Sequence, residues 1–374
     1  VTNDAGARGR LPLLRGDYDL VALPGLRHAI IGYAVDQKSL VWLEQGPGGA
    51  GSTYIAGPAA GDKAGPEGER ADAVATLAGV PHVAWLRSLD QTLWYASRDA
   101  GKWRRERVGA VPPNRMGARM AIALRGGLPV IAFEDAIDGG ISIASRDSDG
   151  QWSLAALPLP PAIPGGTAAL GGTLALSGAG GGLALATYDH VGGDLVLASK
   201  GSSGWEAARF AGRDVATGKD DGDVGLPCAL ARDISGELIV AWRHRTNNEV
   251  WIARSQAGEV VRRRVTDGTY SVLGRNIERR HVVGTAVDAV VRSDGRIAVA
   301  VQDASRARVL VAVETSTGDF KRYEVPATGQ PQVRPHLLAH VDGSLIVAWL
   351  ELAPTGAGAG RLATWTLSIS GETP

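Results

Sequence analysis

Hydrophobic residues along this chain come in short runs that recur about every 50 residues. The clearest runs follow a glycine-led turn and contain two aliphatic residues, a small residue and an aromatic one, as in 79–85, 127–133 and 236–242. Weaker copies have their small residue at Gly32, Ala186, Ala300 and Ala348. Seven copies of one pattern indicate a repeat architecture rather than several unrelated domains.

Each copy predicts four β-strands. In the second copy these are 73–77, 82–86, 92–96 and 103–108. The second strand is almost wholly apolar, as expected when both faces of a sheet are covered. The fourth strand is rich in charge, which is typical of an exposed sheet edge. The alanine-rich segment 69–78 could form a short helix, but glycines bracket it and the equivalent segments are strand-like, so we predict a strand.

A repeat of about 50 residues built only from strands predicts an all-β β-propeller. We predict a single domain over residues 1–374, with seven four-stranded blades at 17–56, 71–109, 118–157, 170–210, 226–265, 284–325 and 334–369. The seventh copy has three clear strands, so segment 10–14 is expected to supply its missing outer strand. The N- and C-terminal strands would then pair and close the ring. Six or eight blades stay open, because the first copy has the weakest pattern.

Composition excludes some classes of function but does not indicate a particular one. Lys and Arg together number 39, as do Asp and Glu, so net charge gives no argument for nucleic acid as a partner. The single cysteine, Cys228, excludes an intrachain disulfide framework. No apolar run reaches the roughly 18–20 residues that a membrane span requires. The chain begins at Val1 rather than Met, so the absence of an export signal from it does not bear on the compartment, and we expect a secreted, periplasmic or cell-surface protein.

The turn between the third and fourth strands has a recurring text, in 97–103, 145–152 and 199–205. Serine and aspartate side chains there can bind the turn's own amides, glycine takes the positive φ, and tryptophan folds back on the sheet. This text resembles the Asp-box (BNR) repeat of sialidase-like propellers, Ser-x-Asp-x-Gly-x-Thr-Trp. The resemblance implies a propeller whose Asp boxes are structural. The Arg-Ile-Pro motif of the sialidases is absent and no tyrosine matches their nucleophile, so sialidase activity is disfavoured.

Polar loops around the axis of a propeller are where ligands usually bind. Arg70, Arg119 and Arg334 lie 13 or 14 residues before their small residues, at the start of an inner strand. Rotational repetition would direct them to one central mouth, where guanidinium groups could hold carboxylates or sulfates. Pairing with nearby acids is the alternative. Further ligand-binding candidates follow the second strands: Arg87, Asp135, Asp189, Arg245 and Asp303.

A catalytic alternative involves Tyr188, His190, Arg243 and His244, which come from adjacent repeats. A Tyr/His pair beside an arginine can abstract the proton next to a uronate carboxylate, as in propeller-type polysaccharide lyases, which this arrangement resembles in outline. No metal site or cofactor is predicted: the acidic segment 218–223 lacks the spacing of a calcium loop.

Three functions remain open from the sequence. The first is an extracytoplasmic recognition module that binds a glycan or protein partner on its loop-rich face. The alternative is a polysaccharide lyase or glycoside hydrolase acting on an acidic polysaccharide. The third is a structural subunit of a larger assembly.

Overall fold

The computed structural model describes residues 13–62, 67–87, 89–163, 166–179, 182–213, 217, 219–233, 235–256, 259–267, 269–271, 278–280, 282–326, 331–352 and 359–369. The regular secondary structure of this part of the chain is all strand apart from one short 3-10 helix at Pro58–Ala60. The strands form seven consecutive units. The first three units are β1 Leu13–Leu23, β2 Arg27–Ala34, β3 Ser39–Gly46 and β4 Gly49–Ala56; β5 Glu67–Ala75, β6 Pro81–Arg87, β7 Thr92–Asp99 and β8 Lys102–Arg107; and β9 Met116–Arg125, β10 Leu128–Asp135, β11 Ile141–Arg146 and β12 Trp152–Ala156.

The remaining units continue this order. The fourth and fifth units are β13 Leu170–Ala179, β14 Gly182–Asp189, β15 Asp194–Lys200 and β16 Trp205–Ala211; and β17 Val224–Arg232, β18 Leu238–His244, β19 Glu249–Gln256 and β20 Glu259–Thr266. A small hairpin, β21 Thr269–Ser271 and β22 Glu278–Arg280, precedes the sixth unit. The last two units are β23 Val283–Val291, β24 Ile297–Asp303, β25 Arg308–Glu314 and β26 Phe320–Glu324; and β27 Gln332–Ala339, β28 Leu345–Leu352 and β29 Ala359–Leu367.

Within each unit, neighbouring strands are antiparallel and follow chain order. The first strands of the units, which we call the inner strands, contact one another in sequence, and β27 contacts β1. The all-β, propeller-like fold expected from the repeats is therefore confirmed. Residues 69–75 of the alanine-rich segment lie in strand β5, where alternate residues face the neighbouring units, and 76–78 lie in the turn that follows.

A separate apolar core fills the space between each pair of adjacent units. Trp42 and Trp85 are fully buried between the first and second units. Ile30 of the first unit packs with Ile346 of the seventh. Sheets stacked in this way bury both faces, which explains why the second strand of every repeat is almost wholly apolar.

The chain's start meets the seventh unit. Leu13, Leu14 and Arg15 pair with Arg361, Gly360 and Ala359 of β29, and the same strand continues as the inner strand of the first unit. The first and seventh units therefore form one seven-stranded sheet. Residues 10–12 of the segment expected to complete the seventh unit lie outside the described residues, so the number of blades and the closure stay predictions.

Every inner strand or its partner has a register shift near the point where the inner strand begins. In four units the shift leaves unpaired residues of the inner strand that belong to the candidate functional site. These shifts lie between Arg15 and Tyr18, between Glu67 and Ala71, between Met116 and Met120 (opposite Asp135 and Phe133), and between Val333 and His336. Such bulges turn side chains out of the ladder and are common beside functional sites. Within the described residues, no helix is long and apolar enough to cross a membrane.

Candidate functional site

Four charged side chains lie in the bulges of four inner strands: Asp17, Arg70, Arg119 and Arg334. We call this set the axial mouth. None of the four residues takes a regular place in its ladder, because each lies between two register positions. The bulge therefore determines where these side chains point, and the sequence spacing of 13 or 14 residues reflects a repeated bulge.

Two arginines of the axial mouth converge on one acid. The Nη1 atoms of Arg119 and Arg334 lie 3.6 and 3.7 Å from the same oxygen of Asp17, Oδ1. The three residues belong to the third, seventh and first units, so the contact joins three different units. Their side chains are 50%, 47% and 36% exposed. The structure thus brings two of the three arginines singled out in the sequence to one place.

Arg70, the third of these arginines, has a different role. Its Nη1 donates a hydrogen bond to the carbonyl of Gly117, at 2.5 Å, and the side chain is half-buried. The bond joins the inner strands of the second and third units. Arg70 therefore stabilises the contact between two inner strands that carry residues of the axial mouth.

Three carboxylates that the sequence analysis did not select lie on inner strands just after the bulges. Each accepts a backbone N–H bond from the next inner strand: Asp19 from Ala73 at 3.2 Å, Asp72 from Ile122 at 2.7 Å and Asp288 from Leu337 at 2.7 Å. A signal was present, since Asp72 and Asp288 both lie twelve residues before their small residues. These bonds satisfy inner-strand donors that no neighbouring strand within the unit can reach.

The environment of these carboxylates favours their protonated forms. Burial, and then the nearby Asp72, raise the pKa of Asp19 well above its usual range. Burial raises the pKa of Asp72 to about 6, although hydrogen bonds with Asp19 and with backbone amides oppose this. His336 Nδ1 lies 3.6 Å from Asp19 and 3.8 Å from Asp288. This group can hold and share protons, but backbone amides already occupy its carboxylates.

Tyr188 and His190, two of the four predicted catalytic residues, are in contact. Their ring centroids are 5.0 Å apart, edge to face. The Tyr188 hydroxyl donates to Asp223 Oδ1 at 3.0 Å, and Asp223 is paired with Arg245 at 2.7 Å. Burial, and then the bond to Asp223, raise the pKa of Tyr188. His190 is exposed and packs on Gly172, where a Cβ atom would lie 3.0 Å from the imidazole.

Arg243 and His244 make other contacts. Arg243 packs against Gly284 of the sixth unit, and its Nη2 lies 3.4 Å from Asn248 Oδ1. Burial, and then the neighbouring Arg245, lower the pKa of Arg243. His244 is buried, with both ring nitrogens 3.3 Å from nitrogen atoms of Asn247. The four residues therefore form a contact pair and two separate side chains, and their catalytic role stays a prediction.

The remaining candidates after the second strands are engaged in their own turns. Carboxylates at equivalent positions accept turn amides: Asp135 from Ile137 and Asp138, Asp189 from Val191, and Asp303 from Arg306, all at 3.0–3.1 Å. Arg87 is paired with Asp90 and lies over Trp94, 4.8 Å from the ring centroid. The N–H groups of each turn require hydrogen-bond acceptors, which explains why polar residues recur at this position. Ligand binding by these residues stays a prediction.

The Asp-box-like turns bind their own backbone. Asp147 accepts the amide of Gln151 at 2.7 Å, and Trp152 donates to Glu106 of the preceding unit at 2.9 Å. Trp103 similarly reaches Thr53 of the first unit at 3.3 Å. These turns therefore connect adjacent units at their outer strands.

Among the described residues, no group of three or more His, Cys, Asp or Glu side chains could hold a metal ion. Cys228 is buried beside Thr173, and burial raises its pKa to about 12. The thiol is therefore unreactive at physiological pH.

Known structures share this architecture. Virginiamycin B lyase from Staphylococcus aureus is similar with a TM-score of 0.53 and 12% identity, over 96% of this chain and 99% of that one. The polysaccharide lyase Uly1 has a TM-score of 0.50 and 11% identity, over 97% and 91%. NanB sialidase from Streptococcus pneumoniae has a TM-score of 0.48 and 10% identity, over 98% of this chain and 70% of that one. No protein-family model and no curated protein matches. At such identities the likeness concerns the fold alone.

Proposed function

We propose that the chain is a closed, seven-bladed propeller that acts outside the cytoplasm and binds an acidic glycan at the axial mouth. The glycan would carry uronate carboxylates or sulfate groups. The observation that carries the proposal is the approach of Arg119 and Arg334, from different units, to one oxygen of Asp17.

The charge balance of this contact supports anion binding. Two guanidinium groups share one carboxylate oxygen here, while the neighbouring Asp19, Asp72 and Asp288 carboxylates accept backbone N–H bonds. The N–O distances of 3.6 and 3.7 Å exceed hydrogen-bond length. An arginine fork can bind a carboxylate or sulfate with two parallel hydrogen bonds, which is stronger than a loose contact between charges. An incoming acid group would therefore gain from Arg119 hydrogen bonds that Asp17 does not make.

The fold gives this proposal a precedent. Uly1, named as a polysaccharide lyase, has the same architecture over most of both chains. Ligands of such ring-shaped folds commonly bind where loops gather at the axis. A glycan at the axial mouth is consistent with both observations.

Binding is favoured over catalysis by the state of Tyr188. A lyase would require this hydroxyl to exchange a proton with substrate, but it donates to Asp223 and its pKa is raised. Arg245, whose charge also acts on Tyr188, is paired with Asp223. The lyase or glycoside hydrolase alternative and the structural-subunit alternative are therefore outcomes of the test below.

The test measures affinity for a sulfated polysaccharide, a polyuronate and an uncharged glucan at low ionic strength. We expect the charged polymers to bind and the double variant Arg119→Ala/Arg334→Ala to bind about tenfold more weakly or worse, because charge-assisted hydrogen bonds are lost. Arg104→Ala is the matched control, since Arg104 is an exposed arginine paired with Asp99 in the β7–β8 hairpin. It removes one positive charge away from the axial mouth and is therefore matched to the single variants Arg119→Ala and Arg334→Ala, which are measured beside the double variant.

Two results would contradict the proposal. Binding that is absent, or equally weakened by the control, would remove the axial mouth as a glycan site and favour the structural-subunit alternative. Release of unsaturated uronate products, abolished in His244→Ala, would replace recognition by lyase activity.

A further inference from the structure

Two buried histidines meet where the first unit packs against the seventh. His28 lies in β2, and His340 follows β27 in the turn that leads to β28. Each residue is 7% exposed, and the two ring centroids are 5.8 Å apart. Ile30 of β2 and Leu338 of β27 belong to the same apolar core beside them. The pair lies at the opposite end of β27 from Arg334, so it is separate from the axial mouth.

The hydrogen bonding of His28 leaves one of its ring nitrogens as an acceptor. Its Nε2 lies 3.1 Å from Oε1 of Gln45, which is its cross-strand partner in β3. An amide oxygen only accepts hydrogen bonds, so Nε2 carries the proton and donates it to Gln45. Nδ1 therefore carries a lone pair, and this atom is buried without a hydrogen-bond partner. A buried polar atom in this state requires an explanation, such as a bound water or ion.

This nitrogen differs from most other buried side-chain atoms without a hydrogen-bond partner. The majority of those are N–H groups of arginine or tryptophan, such as the ones of Arg243 and Trp349, which cannot bind a cation. Other buried histidines have partners: in His82, Nδ1 lies 2.5 Å from the Tyr95 hydroxyl. Among the described residues, His28 thus combines an available imidazole nitrogen with a second imidazole beside it.

Both rings are in the protonation state that binds metals. Burial lowers the pKa of His28, although the hydrogen bond with Gln45 opposes this. Burial also lowers the pKa of His340, with the charge of Asp342 acting in the opposite direction. The two imidazoles are therefore neutral at pH 7 and need not release a proton when an ion binds.

We propose that His28 and His340 bind a divalent transition-metal ion, such as Zn²⁺, which links the first unit to the seventh. Imidazole nitrogen suits Zn²⁺, Ni²⁺ and Cu²⁺, whereas Ca²⁺ and Mg²⁺ prefer oxygen ligands. With metal–nitrogen bonds of about 2.0–2.1 Å, two imidazoles on one ion have their centroids about 5–6 Å apart. The hydrogen bond from His28 to Gln45 is of the kind that fixes the orientation of a metal-binding histidine.

The site leaves the other coordination positions of the ion to water. Among the described residues, no third His, Cys, Asp or Glu side chain joins the pair as a ligand. A site with two protein ligands holds its ion more weakly than a closed site with four. Solvent is near, because Val341, the next residue of the turn, is 81% exposed. We therefore expect reversible binding that stabilises the contact between the two units.

The experiment titrates the chelator-treated full chain with ZnCl₂ at pH 7.5, by calorimetry and by thermal unfolding. We expect one Zn²⁺ per chain to bind at this pair, and the unfolding midpoint to rise with Zn²⁺ but not with Mg²⁺. His28→Gln and His340→Gln should each weaken Zn²⁺ binding about tenfold or more, because each removes one of the two protein ligands.

His82→Gln is the matched control, since it removes a buried imidazole from the second unit. This variant should bind Zn²⁺ with the affinity of the wild type. Thermal unfolding of every variant without metal verifies that the fold is retained.

The titration of the wild type can overturn the proposal by itself, so the test does not depend on the variants. If Zn²⁺ neither binds nor raises the unfolding midpoint, the partner of His28 Nδ1 is a buried water instead. Binding that is equally strong in His28→Gln and His340→Gln would assign the ion to another site and also overturn the proposal. Glycan binding at the axial mouth is a separate question, and its failure would leave this inference intact.

Discussion

Arginine–aspartate contacts in two regions of the molecule show how burial changes an ion pair. In the fourth unit, Arg209 contacts Asp189 and Asp194 at 2.8 Å, and the three side chains are 3%, 0% and 0% exposed. At the axial mouth, Arg119 and Arg334 approach Asp17 only to 3.6 and 3.7 Å, in solvent. The first region has one cation for two acids and the second has two cations for one acid. Charge that is enclosed and hydrogen-bonded holds the fold, whereas the contacts with Asp17 are solvated and longer than a hydrogen bond.

The buried cluster also organises backbone. Asp189 accepts the amide of Ala169 at 3.0 Å, and Asp194 accepts that of Arg213 at 2.6 Å. Burial raises the pKa of Asp194, although hydrogen bonds from the Arg213 amide and from Arg209 oppose this. Such a cluster is stable only while all partners are present, because an unpaired charge in the interior is costly.

The largest effect is expected from Arg209→Met. The substitution leaves two buried carboxylates without a cation, and we expect a loss of about 3–5 kcal/mol in the free energy of unfolding. Denaturant unfolding at pH 7 measures this loss. Arg104→Ala, in an exposed pair, should change the same quantity by less than about 0.5 kcal/mol. Equal losses in the two variants would show that burial does not distinguish these arginines.

A smaller effect of opposite sign, a gain in the free energy of unfolding, is expected from Asp72→Asn. Asp72 lies on β5, just after the bulge that contains Arg70. The pKa of Asp72 in the fold is about 6, above the usual 3.8 of an aspartate. Its contribution to stability is therefore greatest below pH 3.8 and is lost as pH rises through 6. Asparagine keeps an acceptor for the Ile122 amide without the charge. We expect stabilisation of the order of 1 kcal/mol at pH 7.5, which disappears near pH 4.

Asp233→Asn provides the contrast in the fifth unit. Burial opposes the ionisation of Asp233, but hydrogen bonds from Ser235, Arg254 and turn amides outweigh it and lower the pKa to about 2. The ionised form of Asp233 stabilises the fold at pH values above the pKa that this aspartate has in the unfolded chain. Asp233→Asn should therefore lower the free energy of unfolding at pH 7.5. Thermal unfolding from pH 4 to 8 compares both variants. If Asp72→Asn also lost stability at pH 7.5, this would contradict the conclusion that the charge of Asp72 destabilises the fold.

The smallest effect on stability is expected from Arg119→Ala. It removes a half-exposed contact longer than a hydrogen bond, so it should change the free energy of unfolding by about 0.5 kcal/mol or less. The denaturant midpoint of this variant checks the prediction. A loss of several kcal/mol would make the axial mouth a structural cluster like that around Arg209 and would end the comparison between the two regions.

Some features of the site were predictable from the chain. The spacing of Arg119 and Arg334 from their small residues indicated a common position at the start of an inner strand, and the structure brings both to Asp17. Asp17 itself was not singled out, because the first repeat has the weakest pattern and its bulge cannot be read from the sequence. Asp72 and Asp288 were overlooked although they recur at one position, since a single aspartate within an apolar strand gives no local sign of its partner.

The sequence by itself determined the elements. Alternation of apolar residues, turn chemistry at residues such as Asp147 and Gly150, and a period of about 50 residues act over a few neighbouring positions. These local preferences suffice to predict strands, hairpins and an all-β repeat. Only the tertiary structure decided which charges meet. Asp17 lies near Arg119 and Arg334, and Arg209 near Asp189 and Asp194, because stacking of the units sets distances and solvent exposure that no local pattern contains.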